Sequence, residues 1–213
     1  MKTPRPSRWL LIDFGNVLSV FSYEPFIDFL SASGDKSRLV ARELFLGETG
    51  LLHAYETGQI GTGRFLRRLR REIAPRANVS EIRERFCGIF THDVDALDAV
   101  RTVKPKFRIA VASNTNPLHY RRTVKPLLSD LADLFIASHR ISLRKPDPGF
   151  FVEVLRRART SPELCIFFDD LEPNVEAARI AGIEAHLVTR AHPLAETMRS
   201  LGLIPPRSGM MES

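Results

Sequence analysis

Four polar clusters carry residue types that could do chemistry: Asp13, Ser113-Asn114, Lys145-Pro146-Asp147-Pro148 and Asp169-Asp170. Asp13, Asp169 and Asp170 together would make a hard oxygen site of the kind that suits Mg²⁺. Ser113 and the backbone N–H of Asn114 can hold a phosphoryl oxygen. Lys145 can neutralise both that phosphate and the carboxylates. Three carboxylates close together repel, which raises pKa values and weakens any nucleophile among them. A cation and a lysine beside Asp13 keep it ionised, and an ionised Asp13 can attack phosphorus to give an aspartyl-phosphate. Taken singly, each cluster reads as a helix cap, a turn or a surface loop. Their places in the chain set them apart.

Asp13 ends the apolar run Trp9-Leu10-Leu11-Ile12, the pattern of a strand buried on both faces. The same shape recurs in Phe107 to Ala112 before Ser113-Asn114, and in Leu134 to Ala137 before Ser138. It recurs again in Cys165 to Phe168 before Asp169-Asp170, and in Glu184 to Val188 before Thr189. Helical patterns separate the later runs. Pro148 to Ala158 has Phe150, Phe151, Val154 and Leu155 on one face, and Glu172 to Ala181 leads into Gly182 as a C-cap. Strands alternating with helices predict an α/β fold with about five parallel strands. Ligands of such folds sit outside the carboxyl ends of the strands, where these polar residues cluster.

Residues 19–98 break the rhythm. The stretch has no clear strand run and reads as amphipathic helices over 24–31, 36–45, 51–55, 63–73 and 79–90, punctuated by Gly34, Gly47, Gly58, Gly61 and Pro75. The expected organisation is therefore a catalytic core from residues 1–18 and 99–204, with a helical cap over 19–98. Residues 205–213 read as a disordered tail.

Composition bounds the rest. The chain has 213 residues, 44% of them apolar, enough for a sizeable core. Its two cysteines, Cys87 and Cys165, exclude a disulfide scaffold and an all-Cys zinc cluster. No apolar run is long enough to cross a bilayer, and no apolar h-region precedes Asp13, so the expected compartment is the cytoplasm. The net charge of +6 comes mostly from arginines interleaved with acids. The densest part, residues 64–85, holds eight arginines against three glutamates and reads as a solvated helix face rather than a nucleic-acid surface. No membrane or nucleic-acid partner is expected, and nothing in the sequence speaks to oligomeric state.

The polar clusters and their flanks resemble the signature of the haloacid dehalogenase superfamily of hydrolases, in the form with a helical cap after the first strand. The motifs, in order, are Ile12-Asp13-Phe14-Gly15-Asn16-Val17-Leu18, Val111-Ala112-Ser113-Asn114-Thr115, Lys145-Pro146-Asp147-Pro148 and Phe167-Phe168-Asp169-Asp170. The resemblance spans residues 8–190 and implies a Rossmann-like three-layer core. It implies Asp13 as nucleophile and metal ligand, the Gly15 carbonyl as a second ligand, and Asp170 as a direct ligand of Mg²⁺. Asp169 would bind the metal directly or through water. It implies phosphate binding by Ser113 and Asn114, and orientation of nucleophile and phosphate by Lys145. The Asp-x-Gly-Asn-Val form resembles the branch with bacterial sugar-phosphate phosphatases, so a small phosphorylated substrate is expected.

The sequence departs from the superfamily at one place. Most of its phosphatases carry a second aspartate two residues after the nucleophile, as general acid and base, and here that position is Gly15. Such groups contribute typically about 10²–10⁴-fold. Candidate substitutes are His53, Glu48, Glu56, His119 and Tyr23. If there is room, Gly15→Asp is expected to restore part of the missing function. Two other readings follow from Gly15: a metal-free 2-haloacid dehalogenase, which needs no carboxylate pair, and a non-catalytic binding protein, which has no use for buried charges.

Overall fold

The computed structural model describes residues 8–206. Its centre is a five-stranded parallel sheet of β1 (Trp9–Ile12), β4 (Arg108–Ser113), β5 (Leu134–Ala137), β6 (Cys165–Asp169) and β7 (Glu184–Leu187), in the order β5-β4-β1-β6-β7. Every pairing in this sheet is parallel, as the five continuous apolar runs predict. Successive strand residues point to opposite faces. Leu10, Ile12, Ile109, Val111 and Phe168 therefore pack on one side, with α6 (Val94–Val103) and α12 (Leu194–Ser200). The same side takes the helical run of α7 (Pro117–His119), a π-helical turn (Tyr120–Val124) and α8 (Lys125–Leu128). Trp9, Leu11, Ala110, Ala112 and Phe167 pack on the other, with α10 (Pro148–Ala158) and α11 (Glu172–Ile180). The short α9 (Ser138–Ile141) follows β5. Gly182 closes α11 with φ +80°, a left-handed conformation that glycine takes without strain.

Strand order reverses beside β1, so the carboxyl ends of β1 and β6 open a crevice at the switch point. Asp13 follows one of these strands, and Asp169 ends the other.

Between β1 and β4 the chain leaves the sheet through β2 (Ser19–Phe21) and returns through β3 (Phe90–His92). These two pair antiparallel, a feature absent from the reading of 19–98 as purely helical. Three residues per strand are too few to show an alternating pattern, and the partners lie about seventy positions apart. Five helices lie between them: α1 (Glu24–Ala32), α2 (Arg38–Leu46), α3 (Leu51–Glu56), α4 (Thr62–Glu72) and α5 (Val79–Cys87). They share their own core of Phe26, Phe45, Tyr55, Phe65 and Phe86 among others. Ala96 and Leu97 of α6 pack instead with the sheet, so sheet-side packing begins before residue 99. On the basic stretch, Arg68 pairs with Glu72, Arg85 with Glu81 and Arg76 with Asp35, all at the surface.

Among the described residues no helix is long and apolar enough to cross a membrane. Of the expected tail, Pro205 and Pro206 are irregular, and 207–213 lie outside the described residues.

Candidate active site

The structure brings the four clusters together around a cavity of about 240 Å³. Asp13, Gly15, Ser113, Asn114, Lys145 and Asp170 all line it. Asp169 does not, and lies directly behind, fully buried.

Lys145 is the pivot. Its ammonium is 2.9 Å from Asp13 Oδ1 and 2.5 Å from Asp169 Oδ2, with almost no exposure. Burial acts to lower its pKa, but Asp13 and then Asp169 outweigh it and hold the ammonium above its ordinary value. Asp13 feels the opposite balance. Burial is the largest influence and raises it to about 6, against the lowering by Lys145 and with further raising by Asp169 and Asp170. Burial also raises Asp170, helped by Asp169 and opposed by the hydrogen bond from Asn16.

The loops that fix these groups are specific. Asn16 sits at φ 55°, a left-handed turn that asparagine tolerates. Its Nδ2 donates to Asp170 Oδ2 at 3.0 Å, while its Oδ1 accepts from the Phe21 N–H at 3.3 Å. Asp169 Oδ1 accepts from the Leu171 N–H at 2.9 Å and from Asn174 Nδ2 at 2.8 Å. With Lys145 on Oδ2, three of the roughly four lone-pair positions of this carboxylate are taken. Asp169 therefore orients Lys145 first and has at most one position left for anything else.

The Asn114 side chain is engaged away from the cavity. Its Nδ2 donates to the Lys145 carbonyl at 2.9 Å, and its Oδ1 accepts from the Lys145 N–H at 2.8 Å. The side-chain amide thus clamps the lysine's main chain, and the backbone N–H of Asn114 is what remains for an anion. The Ser113 hydroxyl makes no hydrogen bond to the described residues and faces the cavity.

One carboxylate oxygen from each of Asp13, Asp169 and Asp170 lies within 4.8 Å of the others. Three carboxylates face a single lysine, and burial, with a smaller push from their mutual repulsion, keeps Asp13 and Asp170 raised. A hard divalent cation fits this donor set and its excess negative charge. Asp13, Asp170, the Gly15 carbonyl and the free position on Asp169 are the groups that would hold it.

The far wall comes from the helical insert and the ribbon. Leu52 and Glu56, one turn apart on α3, line the cavity with Phe21, Tyr23 and Phe90. Arg144, next to the pivot lysine, places a guanidinium nitrogen 3.4 Å from Glu56 Oε2 and donates to His53 Nδ1 at 2.8 Å. A Cβ at position 15 would lie 2.5 Å from Phe21 Cε1, so the aromatic ring occupies the space beside Gly15. Sequence reasoning gave no role to Asn16, Phe21, Arg144 or Asn174. An asparagine three positions after Asp13 and another four positions after Asp170 were the available signal.

Of the substitutes for the missing acid, Glu48 is exposed and lies away from the cavity. His119 is buried, with Nε2 donating to the Phe86 carbonyl at 2.8 Å and Nδ1 3.0 Å from Asn116 Nδ2. Burial lowers it to about 4, so it stays neutral where it packs between Phe86 and Phe90 on the cavity wall. Burial pushes the Tyr23 hydroxyl well above its ordinary value, and burial with Arg144 lowers His53.

A Rossmann-like sheet with an aspartate, a lysine and an acidic pair at its switch point defines a hydrolase class built on a carboxylate. The chain belongs to the haloacid dehalogenase-like hydrolases, whose family model matches residues 20–182. It is 29% identical over 145 residues to a phosphatase of Mycobacterium tuberculosis, covering 65% of this chain and 67% of that one. It is 30% identical over 101 residues to a phosphorylated carbohydrates phosphatase of Thermotoga maritima, covering 46% and 47% of the two chains. This chain thus matches about half the length of that second relative. Among solved structures, a HAD family enzyme of Bacteroides thetaiotaomicron in complex with magnesium and inorganic phosphate superposes with a TM-score of 0.80 at 23% identity. The superposition covers 90% of this chain and 99% of that one.

Proposed function

We propose that the protein is a Mg²⁺-dependent phosphatase of small phosphomonoesters that works through an aspartyl-phosphate on Asp13. The observation that carries this reading is the convergence of Asp13, Lys145 and Asp170 on one small cavity at the switch point, with Asp169 behind them on Lys145. Asp13 would attack phosphorus while Lys145 holds it ionised and orients it. The Ser113 hydroxyl and the Asn114 N–H would grip the non-bridging oxygens. Bound Mg²⁺ would supply Lewis-acid stabilisation of the phosphoryl charge and offset the carboxylate repulsion. An acidic pair held this close supports phosphoryl chemistry over dehalogenation, which has no use for it. The relatives named as phosphatases, and the neighbour holding magnesium and phosphate, point the same way. Residues 19–98 would act as a cap whose α3 closes the cavity. The cavity is smaller than the ~300–1,000 Å³ of typical small-molecule pockets, which favours a compact substrate such as a sugar phosphate.

The test is a phosphate-release screen of the purified protein over sugar phosphates, nucleotides and flavin mononucleotide, with Mg²⁺ and with EDTA. Mg²⁺ is expected to raise both activity and thermal stability. Asp13→Asn, nearly isosteric, is expected to abolish turnover with the fold intact. Activity of that variant within about tenfold of wild type, or halide release from 2-haloacids without phosphate release, would overturn the reading.

A further inference from the structure

We infer that Glu56 is the general acid and base of this site, standing in for the carboxylate that position 15 lacks. The inference rests on the reading of Asp13 as the nucleophile of a phosphatase.

The space beside Gly15 is filled by the Phe21 ring, so no carboxyl can act from there without displacing it. Glu56 stands on the wall supplied by the insert, in the same cavity as Asp13. Its place follows from helix periodicity. Leu51, Leu52 and Tyr55 make α3 amphipathic, and Glu56 falls one turn beyond Leu52 on the buried stripe. A carboxylate on an apolar stripe is costly unless paired or used. Its carboxyl oxygens accept no hydrogen bond from the described residues, and Arg144 meets it only at 3.4 Å. Its main chain is nonetheless fixed to the sheet domain: Ser138 Oγ lies 2.7 Å from the Glu56 carbonyl and 2.9 Å from the Thr115 carbonyl. A carboxyl with one loose ion pair, on a fixed backbone and lining the nucleophile's own cavity, is suited to proton transfer to a leaving group.

Its titration fits that task. The groups that face Glu56 are Arg144, Asp13 and Tyr23. His53, a turn earlier on α3, spends its Nδ1 on Arg144, and His139 of the packed α9 turns its Nδ1 to the Thr115 carbonyl. Burial is the largest influence on Glu56, opposed by Arg144 and reinforced by Asp13, and together they push it up to about 7. A carboxyl near neutrality can give and take a proton within one turnover.

The steps balance. An Asp13 oxygen bonds to phosphorus as the bond from phosphorus to the ester oxygen breaks. The electron pair goes to that oxygen, and the Glu56 proton follows it, releasing the alcohol. Glu56, now a carboxylate, takes a proton from water. The water oxygen bonds to phosphorus, the bond to Asp13 breaks, and phosphate leaves with Glu56 protonated again.

The experiment uses Glu56→Gln on the full chain with an alkyl phosphomonoester and with p-nitrophenyl phosphate, whose leaving group needs no proton. For the alkyl ester, kcat/KM is expected to fall by about 10²-fold or more. With p-nitrophenyl phosphate, rapid mixing is expected to show a burst of nitrophenolate near one equivalent per site, then slow turnover as the phosphoenzyme accumulates. Wild-type kcat/KM on the alkyl ester is expected to fall above about pH 7, and that fall should vanish in the variant. Equal losses on both substrates without a burst, or kcat/KM on the alkyl ester within about threefold of wild type, would overturn the inference. Where Glu56→Gln does not fold, Arg144→Gln serves. Loss of the guanidinium should move the alkaline limb to higher pH, and an unmoved limb would overturn the inference. A silent Glu56→Gln beside a dead Asp13→Asn sinks this inference alone, whereas an active Asp13→Asn sinks the phosphatase reading and this inference with it.

Discussion

The sheet wall and the insert wall of the cavity hold their charges in different ways. On the sheet wall, Asp13, Asp169 and Lys145 interlock: the lysine touches both carboxylates, and Asn16, Asn174 and Asn114 pin the three motifs that carry them. On the insert wall, Glu56 has one loose cationic partner and a pKa near 7. Groups that must keep one geometry and one charge state are over-determined. A group that changes protonation in each turnover is left nearly unbonded, because a strong hydrogen bond to either form would fix that form.

The two walls differ most in how their stability depends on pH. Glu56 has a folded pKa of about 7 against an ordinary 4.5, so the folded state holds its proton more tightly than the unfolded chain does. The associated stability is fully present below about pH 4.5 and is lost as pH rises through about 7. Glu56→Gln removes this titration. Its unfolding free energy relative to wild type is therefore expected to improve by about 3 kcal/mol between pH 4.5 and pH 8. Urea denaturation at the two pH values measures the difference. A variant that tracks wild type at both would mean that Glu56 is not held raised.

The sheet wall should respond in the opposite sense. Asn114→Ala deletes both hydrogen bonds on the Lys145 main chain. A loss of about 2 kcal/mol in stability is expected at all pH values, from two bonds of roughly 1 kcal/mol each. Turnover should fall by about tenfold as the lysine loses its placement. Unchanged kcat in a destabilised variant would show that Lys145 is positioned by its ion pairs alone.

The two walls were also unequally legible. The five strands and the polar residues at their ends could be read because a doubly buried strand is a continuous apolar run with an abrupt stop. The clamp of Asn114 on Lys145 could not, because it joins loops thirty-one positions apart and nothing in either motif marks the partner of the side-chain amide. The ribbon of β2 and β3 was invisible for want of length. Glu56 was readable only as one of several candidates. Helical phase puts it on the buried stripe of α3, but its facing Asp13 depends on how α3 docks, through Ser138 and Arg144. The glycine at 15 showed that an acid is missing there and gave no sign that a ring fills its place.

That ring reverses the expectation for Gly15→Asp. The new Cβ would sit 2.5 Å from Phe21 Cε1 and 3.1 Å from Cδ1, and the ring is itself packed against Tyr23 and Phe90. Something must give, and overpacking of this kind costs about 1–3 kcal/mol. A carboxylate so placed would also add negative charge beside Asp13, whose pKa burial and neighbouring carboxylates already raise. Gly15→Asp alone is therefore expected to be modestly slower than wild type on every ester, by a few-fold. Phe21→Ala opens the space, so the pair Gly15→Asp with Phe21→Ala should lose less than the sum of the two single changes. In a Glu56→Gln background the same pair should regain part of the lost rate on alkyl esters, since a carboxyl at position 15 then replaces the one removed at position 56. A gain from Gly15→Asp alone, with Phe21 in place, would show that the ring yields readily and that the space beside Gly15 was never closed.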